Sequence, residues 1–376
     1  MPRTKIADPR TLLGELERWV IIETPTSDAA RVNALMDLAV GGLAEAGAAL
    51  TRIPGRDGYG DTSIARINER PGVKPILVVG HLDTVWSTGT LAMMPFRVDG
   101  DRAHGPGILD MKAGSFAAVY AVREIARQRV PTKRPITLLL TPDEEVGSPT
   151  SRAIIEAESA EAALALIPEA AGPGGVCVTE RKGVGRFILQ VHGVGSHAGG
   201  AFDDRASAVV ELAHQIMRLH GLVDPSRGIT LNVAPIQGGS RPNVIAAEAT
   251  AEIDLRVVSA ADGEQMTDLI LGLQPVDPRC RLTVTGGMNR PPFAESAAGL
   301  ALYRWVRDLA APLGLEIGKQ HRGGGSDGNF TAALGVPTLD GLGCPGAGAH
   351  ASHEHILWRQ LGPRVALMVT LLEELD

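Results

Sequence analysis

Cysteine is scarce in this sequence, and so are aromatic residues and long apolar runs. The three cysteines, Cys177, Cys280 and Cys344, are far apart and odd in number, which argues against a disulfide framework and against a thiolate zinc knuckle. No stretch reaches the roughly 18 apolar residues that a membrane-spanning helix needs, and residues 1–22 lack the apolar core and cleavage site of a secretory signal. These absences predict a cytoplasmic protein with no membrane partner, whose metal ligands, if any, are histidines and carboxylates.

The charge balance gives no sign of a polyanionic partner. The formal net charge is −7 at pH 7 and lysine and arginine form no run, so the basic surface that nucleic acid or anionic lipid requires is not indicated. Hydrophobic residues make up 44% and charged residues 21% of the 376 positions, which is typical of globular proteins. A chain of this length exceeds the size at which one core usually keeps growing, so we expect two domains.

Short apolar runs and helical patterns alternate along much of the chain. Apolar residues recur at helical spacing from residue 11 to 49 and again over residues 112–127. Short apolar runs bounded by turn residues cover 76–79, 136–140, 164–167 and, most weakly, 337–342. This alternation predicts an α/β fold in which buried, largely parallel strands form a sheet flanked by helices.

A different pattern occupies the middle of the sequence. Between about residues 182 and 288, strands with alternating apolar and polar positions accompany helical stretches at 205–219 and 260–271. The α/β pattern resumes near Ala297, so we interpret residues 182–290 as a smaller α+β domain inserted into the larger one. The larger domain then consists of residues 1–181 and 291–376.

Acidic residues and a histidine follow three of the predicted parallel strands. His81 comes just after the run at 76–79, Glu144 and Glu145 after the run at 136–140, and Glu169 after the run at 164–167. Ligands bind outside the carboxyl ends of the strands in an open parallel sheet. We therefore expect three separate segments to bring these side chains to one rim of the sheet.

Two further residues complete a possible metal site. Asp110 precedes the helix that begins near residue 112, and His350 follows the glycine-rich turn at 343–349. Imidazole and carboxylate without thiolate suit catalytic zinc or a similar divalent ion, and two such ions need one bridging carboxylate and two further ligands each. Two histidines and three acids fulfil this count, although Asp110 taken alone is typical of a helix N-cap.

Spacing suggests roles for the acids beside these ligands. His81 and Asp83 point the same way in an extended chain, so Asp83 could hold the ring nitrogen of His81 that does not face a metal. Glu144 and Glu145 are adjacent and cannot easily ligate the same ion. One of them would bind metal, and the other would face a water molecule as general base.

Four motifs resemble those of the M20 metallopeptidases, in the family's order and over nearly the whole chain. They are GHLDTV at 80–85, GPGILDMK at 105–112, DEEVGS at 143–148 and GSHAG at 195–199. The resemblance implies a zinc-peptidase-like fold in which Asp110 bridges two zinc ions, with Co²⁺ or Mn²⁺ as possible substitutes. His81 and Glu169 would complete one site, Glu145 and His350 the other, and Glu144 would be the general base.

The last metal ligand has three histidines to choose from. The segment from residue 350 reads HASHEH, and members of the family carry a glutamate four residues after the ligand, which selects His350 through Glu354. We interpret His353 and His355 as residues of a solvated loop. His104 lacks an acidic partner at useful spacing and is assigned no function.

The inserted segment resembles the family's smaller dimerisation or lid domain, which implies a homodimer. By that resemblance His197 would be supplied across the dimer to stabilise the oxyanion. Arg290 is a candidate for binding the substrate carboxylate, as is Arg256, for which a surface ion pair is an equal alternative. Asn243 and Gly324, the latter in the glycine loop at 323–325, fall on positions that the family places near the substrate.

The resemblance also suggests a reaction. Family members with aminopeptidase activity usually carry Asp where Glu169 stands, and the stretch 144–152 is most similar to the glutamate carboxypeptidase branch. We therefore expect hydrolysis of an amide that releases a C-terminal, acidic amino acid from an N-acyl or short peptide conjugate. The alternatives are a deacylase of acetylornithine or succinyl-diaminopimelate type, a hydrolase of another C–N bond, and an inactive metal-binding homologue, against which Glu144 argues.

Overall fold

A computed structural model describes residues 2–200 and 205–376 of the chain. The α-helices are α1 (Pro9–Val20), α2 (Ala29–Glu45), α3 (Ala113–Arg127), α4 (Arg152–Glu161), α5 (Ala208–His220), α6 (Ala260–Leu271), α7 (Ala297–Ala310), α8 (Gly328–Ala333) and α9 (Leu361–Glu374). The β-strands are β1 (Ala49–Ile53), β2 (Thr62–Ile67), β3 (Ile76–His81), β4 (Arg97–Asp99), β5 (Arg102–His104), β6 (Ile136–Thr141), β7 (Leu164–Leu166), β8 (Cys177–Arg181), β9 (Gly183–His192), β10 (Thr230–Gly238), β11 (Glu248–Val257), β12 (Arg281–Arg290), β13 (Lys319–Arg322), β14 (Thr338–Leu339), β15 (Gly346–Ala347) and β16 (His355–Leu357). No helix among these described residues is both long and apolar enough to cross a lipid bilayer.

The chain forms two compact units. The first consists of Met1–Glu180, Glu295–Arg322 and Ser326–Asp376, and the second consists of Arg181–Ala294 and Gly323–Gly325. The short segment Gly323–Gly325 lies far along the sequence from the rest of the second unit. No pattern in the sequence indicated that it belongs there.

A six-stranded sheet forms the centre of the first unit, in the order β1-β2-β6-β3-β7-β14. β6, β3, β7 and β14 run parallel, whereas β2 and β1 extend the sheet in antiparallel pairing. Every residue of β3 and β6 is buried, as expected for strands covered on both faces. The predicted fold class, a largely parallel sheet flanked by helices, is confirmed.

Two features of the first unit were not predicted. One is the antiparallel extension by β1 and β2, and the other is a small sheet in the order β15-β16-β5-β4. The strands of this small sheet are two or three residues long, so they show no periodicity from which a strand can be recognised. β5 leads into the segment that carries Asp110, while β15 and β16 flank His350, and both residues are predicted metal ligands.

The second unit is an antiparallel sheet covered by two helices. Its strand order is β10-β11-β9-β12, and β9 alternates between buried Phe187, Leu189 and Val191 and exposed residues between them. α5 and α6 pack against this sheet. The alternation that the sequence shows in this region therefore corresponds to a sheet with one buried face.

Candidate metal centre

The predicted ligands of the first unit lie where the parallel strands end. His81 is the last residue of β3, Glu144 and Glu145 begin the turn that follows β6, and Glu169 lies three residues after β7. Asp110 lies in the irregular turn Ile108–Lys112 that precedes α3. Asp110 is therefore not the N-cap of α3, since the helix begins at residue 113 and its cap position is residue 112.

Six side-chain atoms from these residues and His350 form two overlapping groups. Nε2 of His81 lies 3.4 Å from Oδ1 of Asp110 and 3.5 Å from Oε1 of Glu169. Nε2 of His350 lies 3.2 Å from Oδ2 of Asp110 and 3.2 Å from Oε2 of Glu145. Each oxygen of the Asp110 carboxylate thus faces a different imidazole, which is the arrangement of a carboxylate that bridges two cations.

The two groups fit divalent cations in spacing and in chemistry. Tetrahedral zinc with bonds of about 2.0–2.1 Å separates neighbouring ligand atoms by roughly 3.3 Å, close to the distances of 3.2–3.5 Å found here. Nε2 of His81 and Oε1 of Glu145 are buried and have no hydrogen-bond partner among residues 2–200 and 205–376. Buried polar atoms in native proteins are rarely left unsatisfied. Coordination to a cation would satisfy Nε2 of His81, and coordination through both oxygens of Glu145 would satisfy its Oε1.

The electrostatics of the cluster also favour a cation. Burial alone would lower the pKa of His81, but Asp110, Asp83 and Glu169 raise it well above its ordinary value. Asp110 and Glu145 raise the pKa of His350 to about 10, and burial raises the pKa of Glu145 to about 7. The two imidazoles and the Glu145 carboxyl thus hold protons more readily than usual, and a bound divalent cation would displace those protons.

Asp83 fixes two segments of the centre at once. Nδ1 of His81 lies 3.0 Å from the main-chain oxygen of Asp83 and 3.3 Å from its Oδ1, so the main chain contributes to a contact that we predicted for the carboxylate. The carboxylate also accepts hydrogen bonds from the N–H groups of Glu144 and Glu145, each at 3.2 Å, and from Thr26 at 2.7 Å. Asp83 is fully buried and therefore orients both His81 and the Glu144–Glu145 turn.

Glu354 holds the segment that carries Asp110. Its buried carboxylate accepts hydrogen bonds from the main-chain N–H groups of Gly107, Leu109 and Asp110 at 2.8, 2.8 and 3.1 Å. It also accepts one from the indole of Trp86 at 2.7 Å. In the sequence analysis Glu354 served only to select His350 among three histidines. Its position four residues after His350 was the one signal in the sequence that it is part of the centre.

Two glycines set the position of Glu169. A Cβ at Gly114 would lie 1.7 Å from the main-chain oxygen of Pro168, and a Cβ at Gly343 would lie 2.5 Å from the same atom. The N–H of Gly343 donates to the main-chain oxygen of Glu169 at 2.9 Å. The segment before Glu169 is therefore packed between two positions at which only glycine fits.

His350 and His355 have different environments. His350 has a φ of 61°, a left-handed conformation that costs free energy for a residue other than glycine, and its side chain is half exposed. The interpretation of His355 as a solvated-loop residue was wrong, because it is buried in β16 opposite His104 of β5, with ring centroids 5.2 Å apart. The sequence could not show this, since the pairing joins two very short strands.

The predicted substrate residues lie in the second unit. His197 and Asn243 are exposed neighbours, because His197 pairs with residue 244 and the N–H of residue 198 donates to the main-chain oxygen of Asn243 at 2.9 Å. Arg256 makes a two-pronged ion pair with Asp254 at 2.7 and 2.8 Å, so a substrate carboxylate would have to displace Asp254. Arg290 is buried and lies beside the exposed glycine segment that contains Gly324.

Comparisons with known proteins all point to one peptidase family. The model of Peptidase family M20/M25/M40 matches residues 77–374. Carboxypeptidase G2 from Pseudomonas sp. (strain RS-16) is 31% identical over 89% of this chain and 82% of its own length. A succinyl-diaminopimelate desuccinylase from Verminephrobacter eiseniae is 28% identical over 77% of this chain and 75% of its own length. The fold is also that of a solved tripeptidase from Staphylococcus aureus, with a TM-score of 0.77 and 19% identity over 98% of this chain and 99% of that one.

Proposed function

The chain belongs to peptidase family M20 and is a metal-dependent peptidase, and we propose that it releases a C-terminal, acidic amino acid from an N-acyl or short peptide conjugate. The observation that carries amide hydrolysis is the Asp110 carboxylate, whose two oxygens face His81 and His350 at 3.4 and 3.2 Å. Release of a C-terminal residue is supported by the likeness to carboxypeptidase G2 over most of the chain, and the acidic specificity by the resemblance of residues 144–152 to the glutamate carboxypeptidase branch.

Two divalent cations, zinc in the first instance, would be held by the centre. His81, Asp110 and Glu169 would hold one, and Asp110, Glu145 and His350 would hold the other. When bound, the cations polarise the scissile carbonyl and lower the pKa of the attacking water.

Glu144 is the proposed general base. Its side chain is largely buried, and its Oε2 lies 4.0 Å from Nε2 of His81, at the edge of the first ligand group. The main-chain N–H of Glu144 donates to Asp83, so the backbone that carries the Glu144 carboxylate is held in place. Glu144 would take a proton from the attacking water and return it to the leaving nitrogen.

The second unit would contribute substrate contacts and a dimer interface. We assign the oxyanion contact to His197 of a partner subunit, and the carboxylate of the released amino acid to Arg290, Gly324 and Asn243. A dimer is supported by β10, an edge strand that pairs only with β11 within the described part of the chain. The exposed fractions of Ile236 on this strand and of Met217 on α5 are 52% and 69%, and light scattering on the purified protein would test the dimer.

We also place the protein in the cytoplasm. Its cysteines are buried free thiols, a state that is common in a reducing compartment. Fractionation of the cells that produce the protein would test this location.

A substrate panel tests the proposed reaction. The metal-loaded protein would be offered N-acyl derivatives of glutamate, aspartate, a neutral amino acid and a basic amino acid, and we expect the acidic pair to be hydrolysed fastest. Preference for a basic or neutral residue would overturn the acidic specificity. No amide hydrolysis by the metal-loaded protein would overturn the proposed reaction.

A second candidate is an N-acyl-amino-acid deacylase. The observation that favours it is the likeness to a succinyl-diaminopimelate desuccinylase over 77% of this chain. The same panel separates the two functions if it includes N-succinyl and N-acetyl diamino acids. Fastest hydrolysis of those compounds would favour the deacylase.

Metal analysis tests the centre independently of the substrate. The proposal predicts about two divalent ions per chain. Asp110→Ala should lose both ions, whereas His350→Ala should retain the one held by His81 and Glu169. Equal loss from both variants would contradict the bridging role of Asp110.

A further inference from the structure

Arg181 is a buried residue of the second unit that joins two separate segments. Its main chain pairs with Phe293, with N–H to oxygen distances of 2.9 and 3.0 Å in the two directions. Its guanidinium donates from Nη1 to the main-chain oxygens of Gly324 and Gly325 at 3.1 and 3.2 Å. Only 4% of Arg181 is exposed, so the arginine side of these contacts is shielded from water.

The glycine segment needs such an anchor. Gly323 and Gly324 are exposed, and a Cβ at either position would meet no atom within 4 Å. Neither has a positive φ, so neither packing nor backbone conformation requires glycine there. Consecutive glycines lose the most conformational entropy on ordering, and open glycines permit close approach of a ligand to the main chain.

Gly325 connects this segment to Arg290. A Cβ at Gly325 would lie 2.7 Å from Cδ of Arg290 and 3.0 Å from Cγ2 of Val184. Val184 in turn is the ladder partner of Arg290 between β9 and β12. The position of the glycine segment is therefore coupled by direct contact to the arginine that we assign to the substrate carboxylate.

The hydrogen bonds from Arg181 determine which way the main-chain N–H groups of the glycine segment face. The C=O of Gly324 and the N–H of Gly325 belong to one planar trans peptide and point in opposite directions. Because that C=O points to the buried guanidinium, the N–H of Gly325 points away from it. This N–H has no hydrogen-bond acceptor in the described residues, whereas the next one, of Ser326, donates to Asn329 at 2.9 Å.

We propose that Arg181 is a positioning residue that fixes the glycine segment 323–325 so that the N–H of Gly325 donates to the carboxylate of the substrate beside Arg290. This inference rests on the proposed function for the identity of the ligand. It does not rest on it for the anchoring itself, because the contacts of Arg181 belong to the free protein. Arg181 acts through the glycines and does not itself contact the substrate.

Limited trypsin digestion of the full chain tests the anchoring. The bond after Arg322 begins the glycine segment, and its cleavage yields a fragment that starts at Gly323. Loss of hydrogen bonds from a charged donor is worth about tenfold or more in an equilibrium, so we expect Arg181→Met to speed this cleavage by about tenfold. Arg281→Met is the matched control, since Arg281 is an exposed strand arginine that contacts a side chain, Thr283, at 3.2 Å.

Arg181→Lys keeps the charge but loses the planar donor, and we expect it to give an intermediate rate of cleavage. It also serves as the second variant if Arg181→Met does not fold. Cleavage after Arg322 at the wild-type rate in folded Arg181→Met and in Arg181→Lys would overturn the anchoring role.

Kinetics test the ligand part of the inference. On the fastest substrate of the panel, Arg181→Met should raise KM about tenfold and change kcat little, and guanidinium ions at millimolar concentration should partly restore KM. Free glutamate should slow cleavage after Arg322 in the wild type and not in Arg181→Met. Faster cleavage in the variant with unchanged KM would leave Arg181 as an anchor and overturn the carboxylate contact, independently of whether the panel supports the acidic specificity.

Discussion

Glu354 accepts a hydrogen bond from the main-chain N–H of Asp110 at 3.1 Å, although 244 positions separate the two residues in sequence. Both oxygens of Glu354 accept from two N–H groups each, three on the segment 107–110 and one on Trp86. Both oxygens are therefore needed as acceptors, and replacing either one with an NH₂ group would lose two hydrogen bonds. Asp110, the proposed bridging ligand, is thus placed by a residue that would not itself touch a metal.

Replacement of Glu354 should therefore weaken metal binding. In Glu354→Gln an amide NH₂ would face two N–H donors, and we expect metal affinity to fall about 10–100-fold, as is typical for residues that orient ligands. Competition with a chromophoric chelator measures this affinity. Glu161→Gln, which changes an exposed glutamate of α4, is the control, and equal affinities in the two variants would contradict the role of Glu354.

The adjacent acids Glu144 and Glu145 should separate by phenotype. Glu144→Gln is expected to lower kcat by about 10²–10⁴ with metal content unchanged, because it removes the proposed general base. Glu145→Gln should instead reduce metal content, because the carboxylate 3.2 Å from His350 is lost. Metal analysis and steady-state kinetics on both variants test this, and a Glu144→Gln enzyme of normal activity would rule out the proposed base.

Two glycines in helices should respond in opposite ways to alanine. Gly114→Ala would place its methyl group against the main-chain oxygen of Pro168, so we expect a loss of about 1–3 kcal/mol in the free energy of unfolding together with weaker metal binding at Glu169. Gly41→Ala in α2 meets no atom within 4 Å and should stabilise by about 0.5–1 kcal/mol. Urea denaturation measures both, and a stabilised Gly114→Ala would show that the segment before Glu169 is not confined.

The buried pair His104 and His355 should make the protein sensitive to acid. Burial, Arg97 and His355 lower the pKa of His104, so the native chain binds a proton at His104 less readily than the unfolded chain. The contribution of His104 to the free energy of unfolding should then be constant above about pH 6.5. It should fall below that pH, by at most about 1.4 kcal/mol per pH unit for one proton.

His104→Gln tests this sensitivity when its melting temperature is compared with that of the wild type between about pH 7.5 and pH 5. We expect the wild type to lose more stability than the variant over this interval, because glutamine does not take up a proton. His220→Gln, at an exposed position of α5, is the control and should run parallel to the wild type. A His104→Gln variant that also runs parallel would contradict the prediction.

Local patterns were sufficient where an element is long enough to have a period. α6 occupies the residues predicted for it, and β3, β6 and β7 coincide with the apolar runs ahead of His81, Glu144 and Glu169. The rule that parallel strands end at one edge of a sheet is then sufficient to predict that these side chains lie together. Such inferences need only the residues of one segment and the direction of its neighbours.

Contacts between distant segments could not be predicted from those patterns. The pairing of β5 with β16, the hold of Glu354 on Asp110 and the anchoring of Gly323–Gly325 by Arg181 each join positions more than 100 residues apart. Short strands and single hydrogen bonds leave no periodic signal, and their partners are chosen by the packing of the whole unit. Buried polar groups must find partners wherever folding brings them.

The sequence by itself determined the class of fold and the residue types of the centre, because strand periodicity and the order of acids and histidines are local properties. Only the tertiary structure decided that Asp110 turns one oxygen to each imidazole, that Asp83 and Glu354 hold the ligand segments, and that His355 is buried. These are decided by distances of 3–4 Å between segments. Such distances depend on how all the segments pack together and are set by no single stretch of chain.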